Sequence, residues 1–209
     1  IKRKPLLVLF LLAVPVSCIH QFYFVHTAQF LGKIQVGADG FVTFVNKIFG
    51  VGGGGLMTIG QMSEILVLAV IPFAAKSMSR RSLLAVGLAA YALRMWLFAN
   101  VDAIGPAGLL IGIALHGLCF GCFIFVAFMV VDENTTGDVR ASAQSLFNMV
   151  IIGVGIIVGS MIATSAVGWA TTDGVLSYPA LFSYPMYASI VCLAILILTY
   201  PRKNTRLRD

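Results

Sequence analysis

Six long apolar stretches follow one another along the chain, and short polar connections separate them. A helix rises about 1.5 Å per residue, so about 20 apolar residues are needed to cross a hydrocarbon core of about 30 Å. We place the six spans at about residues 5–31, 56–75, 82–99, 105–131, 140–167 and 178–200. The pattern predicts an all-α integral membrane protein with six transmembrane helices, which occupies residues 1–209 as one bundle.

Composition agrees with a chain whose solvent is mostly lipid. Charged residues make up 11% of the 209 residues, whereas a soluble domain carries about 25%. Hydrophobic residues make up 59%, and the mean hydropathy is +0.97. The net charge of +6 does not predict a nucleic-acid partner, because the basic residues flank the spans and no basic stripe with interleaved aromatics is present.

The basic residues also predict an orientation. Eleven of the fourteen lie on one side, in the N-terminus, the 76–81 and 132–140 loops and the C-terminal tail. By the positive-inside rule, both termini are expected in the cytoplasm of a cell (inner) membrane protein. The chain begins with Ile1 and shows no signal-peptide pattern, so we expect it to be a segment of a longer protein.

Glycines give two further expectations. The run Gly52–Gly55 before the second span is either a flexible hinge or an unstructured approach to the helix, and we favour the second. Small residues recur four apart within the spans, a spacing that lets helices pack closely in lipid. They predict a packed bundle and are Gly117 with Gly121, and Gly155 with Gly159, beside Gly153.

Ionisable residues inside the spans are the strongest functional signal, because a charge at the bilayer centre costs at least about 2.5 kcal/mol. Glu64 lies near mid-membrane, and Gln61 lies one turn earlier on the same helix face. We interpret Glu64 as a group that can load and release a proton. The alternative is that it pairs with Arg94 or another buried donor and locks two helices together. Arg94 lies toward the outer third of its helix and could snorkel toward the interface, and an ion-pair or packing role is expected rather than substrate contact.

The first and fourth spans add polar and aromatic groups. Gln21, His20 and Tyr23 could line a polar cavity, whereas His26 and Gln29 fit the membrane interface better. In the fourth span, His116 and Phe120 are one turn apart on one face. A histidine satisfied locally remains the alternative for His116.

Enzyme and metal chemistry find little support. The pair Cys119 and Cys122 has the spacing of a redox or metal site, but no second pair accompanies it, and buried cysteines usually act as small hydrophobes. No Ser/His/Asp arrangement, HExxH motif or phosphate-binding loop is visible. We expect no catalytic residues, no metal and no cofactor.

Six spans with both termini on one side are the size of one half of a major facilitator superfamily transporter, which is built as three helices plus an inverted three. More specifically, the chain resembles the nucleoside:proton symporter family. Gln61-Met62-Ser63-Glu64 with Ile71-Pro72-Phe73 is similar to helix eight of that family, and the resemblance continues through Leu93-Arg94. It is clearest in the link between helices ten and eleven, at residues 131–135 and 140–147.

The resemblance implies a substrate site. Gln61 and Glu64 match the cavity-lining pair of helix eight, and Gln21 matches a substrate-contacting Gln of helix seven. His116 and Phe120 match an aromatic cluster of helix ten, with His in place of Tyr. Two positions depart from the family pattern: Gly121 stands where an acidic residue is usual, and Phe24 is nearest to a missing Asn.

The resemblance thus implies alternating access by two six-helix bundles, with this chain as the C-terminal half and an N-terminal half as its partner. A nucleoside would hydrogen-bond Gln21, Gln61 and Glu64, while Phe120 and Tyr23 stack on its base and Glu64 couples the proton. The 76–81 and 132–140 segments would be cytoplasmic gating loops. The alternatives are a transporter of another small metabolite such as a sugar, a non-transporting membrane sensor of the same fold and, less favoured, a membrane enzyme.

Overall fold

The computed structural model describes residues 3–34, 40–50 and 53–202 of the chain. Within this part, six helices are long and apolar enough to cross a membrane, which confirms the predicted number. We call them spans 1 to 6, and their bounds are Lys4–Ile34, Gly53–Ser77, Arg80–Ala99, Gly108–Glu133, Arg140–Trp169 and Tyr178–Thr199.

The connection between spans 1 and 2 holds a seventh helix, Gly40–Phe49, which was not predicted. The expectation of an unstructured glycine approach is wrong for Gly53 and Gly55, which are buried inside span 2. A Cβ on Gly53 would overlap the backbone of Ala28 in span 1, so the missing side chain allows the two helices to meet. Gly52 lies outside the described residues, as do Lys2 and the last basic residues of the tail, 203–208.

A two-stranded hairpin joins spans 5 and 6. Thr171–Thr172 pairs antiparallel with Val175–Leu176, and Asp173 and Gly174 form the turn with φ of 51° and 77°. Two consecutive positive φ values are the geometry that Asp-Gly turns favour. Ser177 then caps span 6 by accepting a hydrogen bond from the backbone N–H of Ala180.

Close packing at glycines joins the spans, as the small-residue spacing predicts. A Cβ on Gly159 would lie 2.8 Å from Cα of Cys18 in span 1, and one on Gly121 would lie 2.6 Å from the Val67 side chain of span 2. Gly117 and Gly155 make similarly close contacts. The prediction is wrong for Gly153, which is exposed and faces no other span.

Spans 4 and 5 are irregular in the middle. Span 4 is approached by a helix Val101–Ala114 that is interrupted at Gly105, where φ is 74°. It continues as His116–Cys119, a π-helical segment Phe120–Phe125, and Val126–Glu133. Span 5 has the same character, with Arg140–Asn148, a π-helical Met149–Val154, and Gly155–Trp169. Such wide turns shift the facing of the residues that follow and are frequent at functional sites.

The bundle has two unlike ends. The start of span 1, the turn between spans 2 and 3, the 134–139 connection and the end of span 6 lie together, and we call this the charged end. The short helix Gly40–Phe49 and the β-hairpin lie at the opposite end.

Candidate functional site

Glu64 lies near the middle of span 2, and its side chain is 20% exposed. Its Oε2 atom is 3.2 Å from Nε2 of His116 in span 4. Of the pairings expected for Glu64 in the alternative interpretation, the structure shows the one with another buried donor, His116, rather than a direct contact with Arg94. The carboxylate keeps an open side, while its other side meets a buried ring.

Arg94 is fully buried, so the expectation that it snorkels toward the interface is wrong. Its Nη1 atom is 3.0 Å from Nδ1 of His116. Its guanidinium carbon lies 4.1 Å from the ring centroid of Tyr23 and 5.2 Å from that of Tyr91. Span 3 faces the bundle interior here, so the side chain packs inward between aromatic faces, which attract cations.

Aromatic rings surround His116. Its ring is stacked on Tyr23 at 5.1 Å and on His20 at 5.4 Å between centroids. Phe24 meets it edge-on at 5.6 Å, and Phe120 lies 6.2 Å from the His20 ring. We call these five residues the aromatic cluster. The structure thus brings together residues from three spans: Tyr23 from span 1, Glu64 from span 2, and His116 and Phe120 from span 4.

The rings of the cluster differ in access. Tyr23 is fully buried, so in this conformation Arg94 and His116 cover its ring, and its stacking on a substrate stays a prediction. Phe24 is 39% exposed, and Phe120 is partly exposed. These two rings are therefore the more accessible phenyl groups of the cluster.

The two predicted glutamines lie on different spans and differ in exposure. Gln61 is exposed one turn before Glu64 on span 2. Gln21 is half-buried, and its Nε2 lies 3.1 Å from Oγ of Ser160 in span 5. Gln21 therefore joins spans 1 and 5, while Gln61 and Glu64 share a helix side.

A brace that the sequence did not reveal fixes span 2 against span 4. The Ser63 hydroxyl lies 2.6 Å from the Ala114 carbonyl and 2.8 Å from that of Gly60, and it accepts from the Gly117 N–H at 3.0 Å. Gly60 backs onto Cβ of His116. The sequence signals for this brace were the polar Ser63 next to Glu64 and Gly117 next to His116.

Other polar residues of span 1 are also internal. His26 was expected at the interface, but it is buried, and its Nε2 lies 2.8 Å from the Ala163 carbonyl of span 5. Packing against span 5 supplies the acceptor that solvent was expected to supply. Gln29 is exposed, as expected.

The remaining candidates do not add a second site. Cys119 and Cys122 are buried free thiols, and no group of three metal-ligand side chains occurs in residues 3–34, 40–50 and 53–202. A Cβ on Gly121 would lie 2.6 Å from Cγ1 of Val67, so a larger residue at this position would require the packing of spans 2 and 4 to shift. A cleft of about 360 Å³ between spans 1, 5 and 6 is lined by apolar side chains, which cannot orient a polar substrate.

The charged end holds a separate set of ion pairs. Arg80 binds Glu133 through two contacts, Nε to Oε2 at 3.1 Å and Nη2 to Oε1 at 2.6 Å. Arg140 lies 3.4 Å from Asp132. In the loop, the Thr136 hydroxyl donates to the carboxylate of Asp138 and lowers its pKa below the ordinary value.

Comparison with known proteins identifies the family of the chain. A family model described as nucleoside H+ symporter matches residues 1–206. The xanthosine permease of Escherichia coli (strain K12) is 28% identical over 142 residues, which cover 65% of this chain and 34% of the permease. The nucleoside permease NupG of the same organism is 26% identical over 153 residues, which cover 72% of this chain and 37% of the permease.

The fold is also shared with a solved structure. The nucleoside transporter NupG superposes with a TM-score of 0.81 at 22% sequence identity, over 97% of this chain and 49% of that one. The fold is therefore that of one half of a major facilitator superfamily transporter. The chain matches about half of the solved transporter and about a third of the length of the two permeases.

Proposed function

The chain belongs to the nucleoside H+ symporter family, and on this premise we propose that it forms the C-terminal half of a transporter that couples nucleoside uptake to proton entry. An N-terminal six-helix half supplies the opposite wall, and the two bundles rock around a site near the bilayer midplane. The observation that carries the proposal is Glu64, a partly exposed carboxylate in mid-span that contacts a buried histidine.

In this proposal, Glu64 binds the proton, and Gln61 and Gln21 hydrogen-bond the nucleoside. Phe120 stacks on the base, and His116 orients Glu64. Tyr23 supports His116 from behind in the present conformation and reaches the base only if the cluster rearranges. The charged end lies on the cytoplasmic side of the cell membrane. Its loops contact the N-terminal half and hold the two halves of the transporter together.

A second candidate is a transporter of another small polar metabolite. It is favoured by Gly121 and Phe24, which remove two polar groups of the family's nucleoside site. Counterflow by the full-length protein in proteoliposomes, run with nucleosides and sugars, separates the substrates. Binding without counterflow of any ligand identifies a sensor of the same fold.

The test of proton coupling is Glu64→Gln in the full-length protein, reconstituted in proteoliposomes with an acidic exterior. We expect nucleoside accumulation against its gradient to be lost, because an amide cannot take up a proton, while counterflow and membrane insertion persist. Asp173→Asn is the matched control, since it removes a carboxylate from the hairpin turn and Asn tolerates the positive φ there. Normal proton-driven accumulation by Glu64→Gln would end the proposal.

A further inference from the structure

We infer that Arg94 is a positioning residue that holds His116 as its neutral Nε2–H tautomer and thereby makes Glu64, rather than His116, the proton-accepting group of this site. The tautomer follows from geometry alone, whereas its consequence for proton uptake rests on the proposed function.

The direction of hydrogen bonding is determined by Arg94. A guanidinium has only donors, so its contact with His116 requires that Nδ1 accept. A neutral imidazole then carries its single ring proton on Nε2. This atom is the one that lies 3.2 Å from Oε2 of Glu64, so the histidine donates to the carboxylate. The chain of donors can run only from Arg94 through His116 to Glu64.

The position of Arg94 is restrained by packing. Its side chain is fully buried and lies over the faces of Tyr23 and Tyr91. Its Nε and Nη2 atoms find no hydrogen-bond partner among the residues that the structure describes. The bond to His116 is therefore the one polar contact that these residues give the guanidinium, and losing it would leave a buried charge with no hydrogen bond, which is costly.

The elements packed around His116 carry other titratable side chains that could compete for the proton. Span 1 contributes His20 and Tyr23, span 3 contributes Tyr91, and span 4 contributes Cys119. Nδ1 of His20 is engaged with the Tyr91 hydroxyl at 2.6 Å. Among the described residues, Glu64 is the acidic side chain that lies within the membrane, because the others occur near the ends of the spans or in connections.

Proton uptake then changes the charge of one group, Glu64. A proton from solvent binds the Glu64 carboxylate and forms a neutral acid, while His116 keeps its Nε2 proton and Arg94 keeps its charge. In a doubly protonated His116, the N–H on Nδ1 would face the N–H donors of Arg94. Two donors cannot form a hydrogen bond with each other, so this geometry disfavours that state. The positive charge of Arg94 is compensated only while Glu64 is ionised, which links the protonation of Glu64 to the arrangement of the cluster.

The first test needs no variant of Arg94. Histidines of the full-length protein are labelled with ¹⁵N and ¹³C, and His116 is assigned as the signal that disappears in His116→Gln. We expect one protonated ring nitrogen at neutral pH, correlated with Cδ2, which identifies Nε2. A proton on Nδ1, or on both nitrogens, would overturn the inference. Because this spectrum does not depend on transport, it remains decisive if the protein carries no nucleoside.

The second test asks whether Arg94 sets the tautomer. Arg94→Gln, which can accept as well as donate, is expected to give mixed tautomers and to move the pH midpoint of proton-driven uptake by about one unit, a tenfold change in proton concentration. Arg94→Lys still donates and is expected to keep the Nε2–H tautomer. An unchanged spectrum in Arg94→Gln, or equal loss of the tautomer in both variants, would show a packing role only and overturn the inference. If Arg94→Gln does not fold, the wild-type spectrum and Arg94→Lys still decide.

Discussion

Two buried arginines of this protein meet a glutamate in different ways. At the charged end, Arg80 binds Glu133 directly through two contacts and also donates to the Ala75 carbonyl at 2.9 Å. Inside the bundle, Arg94 makes one hydrogen bond to the residues that the structure describes, to His116, and it is linked to Glu64 through that ring.

The difference distinguishes a structural ion pair from a site whose carboxylate can still bind a ligand. A bidentate pair satisfies both partners and opposes any change of protonation or position. A pair bridged by a histidine leaves the carboxylate with an open side, where a proton or substrate can bind. The same two residue types therefore stabilise one end of the bundle and, in the proposed function, take part in proton coupling at its middle.

The largest effect on stability is expected from Glu133→Ala. It removes the partner of the nearly buried Arg80 and should lower the free energy of unfolding by about 3 kcal/mol. The control is Asp132→Ala, because its ion pair with Arg140 is about half exposed and should be worth less than about 1 kcal/mol. Unfolding of the full-length protein by SDS in mixed micelles measures both, and equal losses would contradict the contrast between the two pairs.

A smaller loss is expected where span 2 meets span 4 beside Glu64. A Cβ on Gly117 would overlap the Ser63 carbonyl and lie 2.8 Å from the backbone N of Glu64. Gly117→Ala should therefore cost about 2 kcal/mol by overpacking and should displace Glu64 from His116. Gly168→Ala is the control, because nothing lies within 4 Å of a Cβ there. The same SDS titration applies, and a Gly117 variant as stable as the Gly168 variant would show that the close contact does not matter.

The smallest effect concerns Asp138 at the charged end. Its pKa is lowered chiefly by the hydrogen bond from Thr136, so Thr136→Val should raise the pKa toward its ordinary value. A carboxylate pKa that is lowered in the folded state adds stability that is fully present above the unfolded pKa and is lost as pH falls through the folded value. The variant should therefore be slightly less stable than wild type at neutral pH and should match it in acid. Carboxyl ¹³C titration of Asp138 measures this, and the pH profile of uptake, which we assign to Glu64, should stay unchanged.

Much of the site followed from residue type and depth. The cost of burying charge pointed to Glu64, and helical spacing placed His116 and Phe120 on one face, which the structure brings to the same cluster. The roles of Gln21 and Gln61 in substrate binding remain predictions. Snorkelling of Arg94 and an interfacial His26 are both wrong for one reason: periodicity shows which side of a helix is polar but not which neighbouring helix that side meets. The packing role expected for Arg94 agrees with its place between the rings of Tyr23 and Tyr91.

The sequence by itself determined that six helices cross a membrane, because the length and apolarity of each stretch depend only on local composition. It also determined that a carboxylate lies at mid-depth. Only the tertiary structure decided that His116 stands between Glu64 and Arg94, because spans 2, 3 and 4 meet through close contacts at Gly60, Gly87 and Gly117. Contacts between distant segments depend on shape complementarity, which no single stretch of sequence contains.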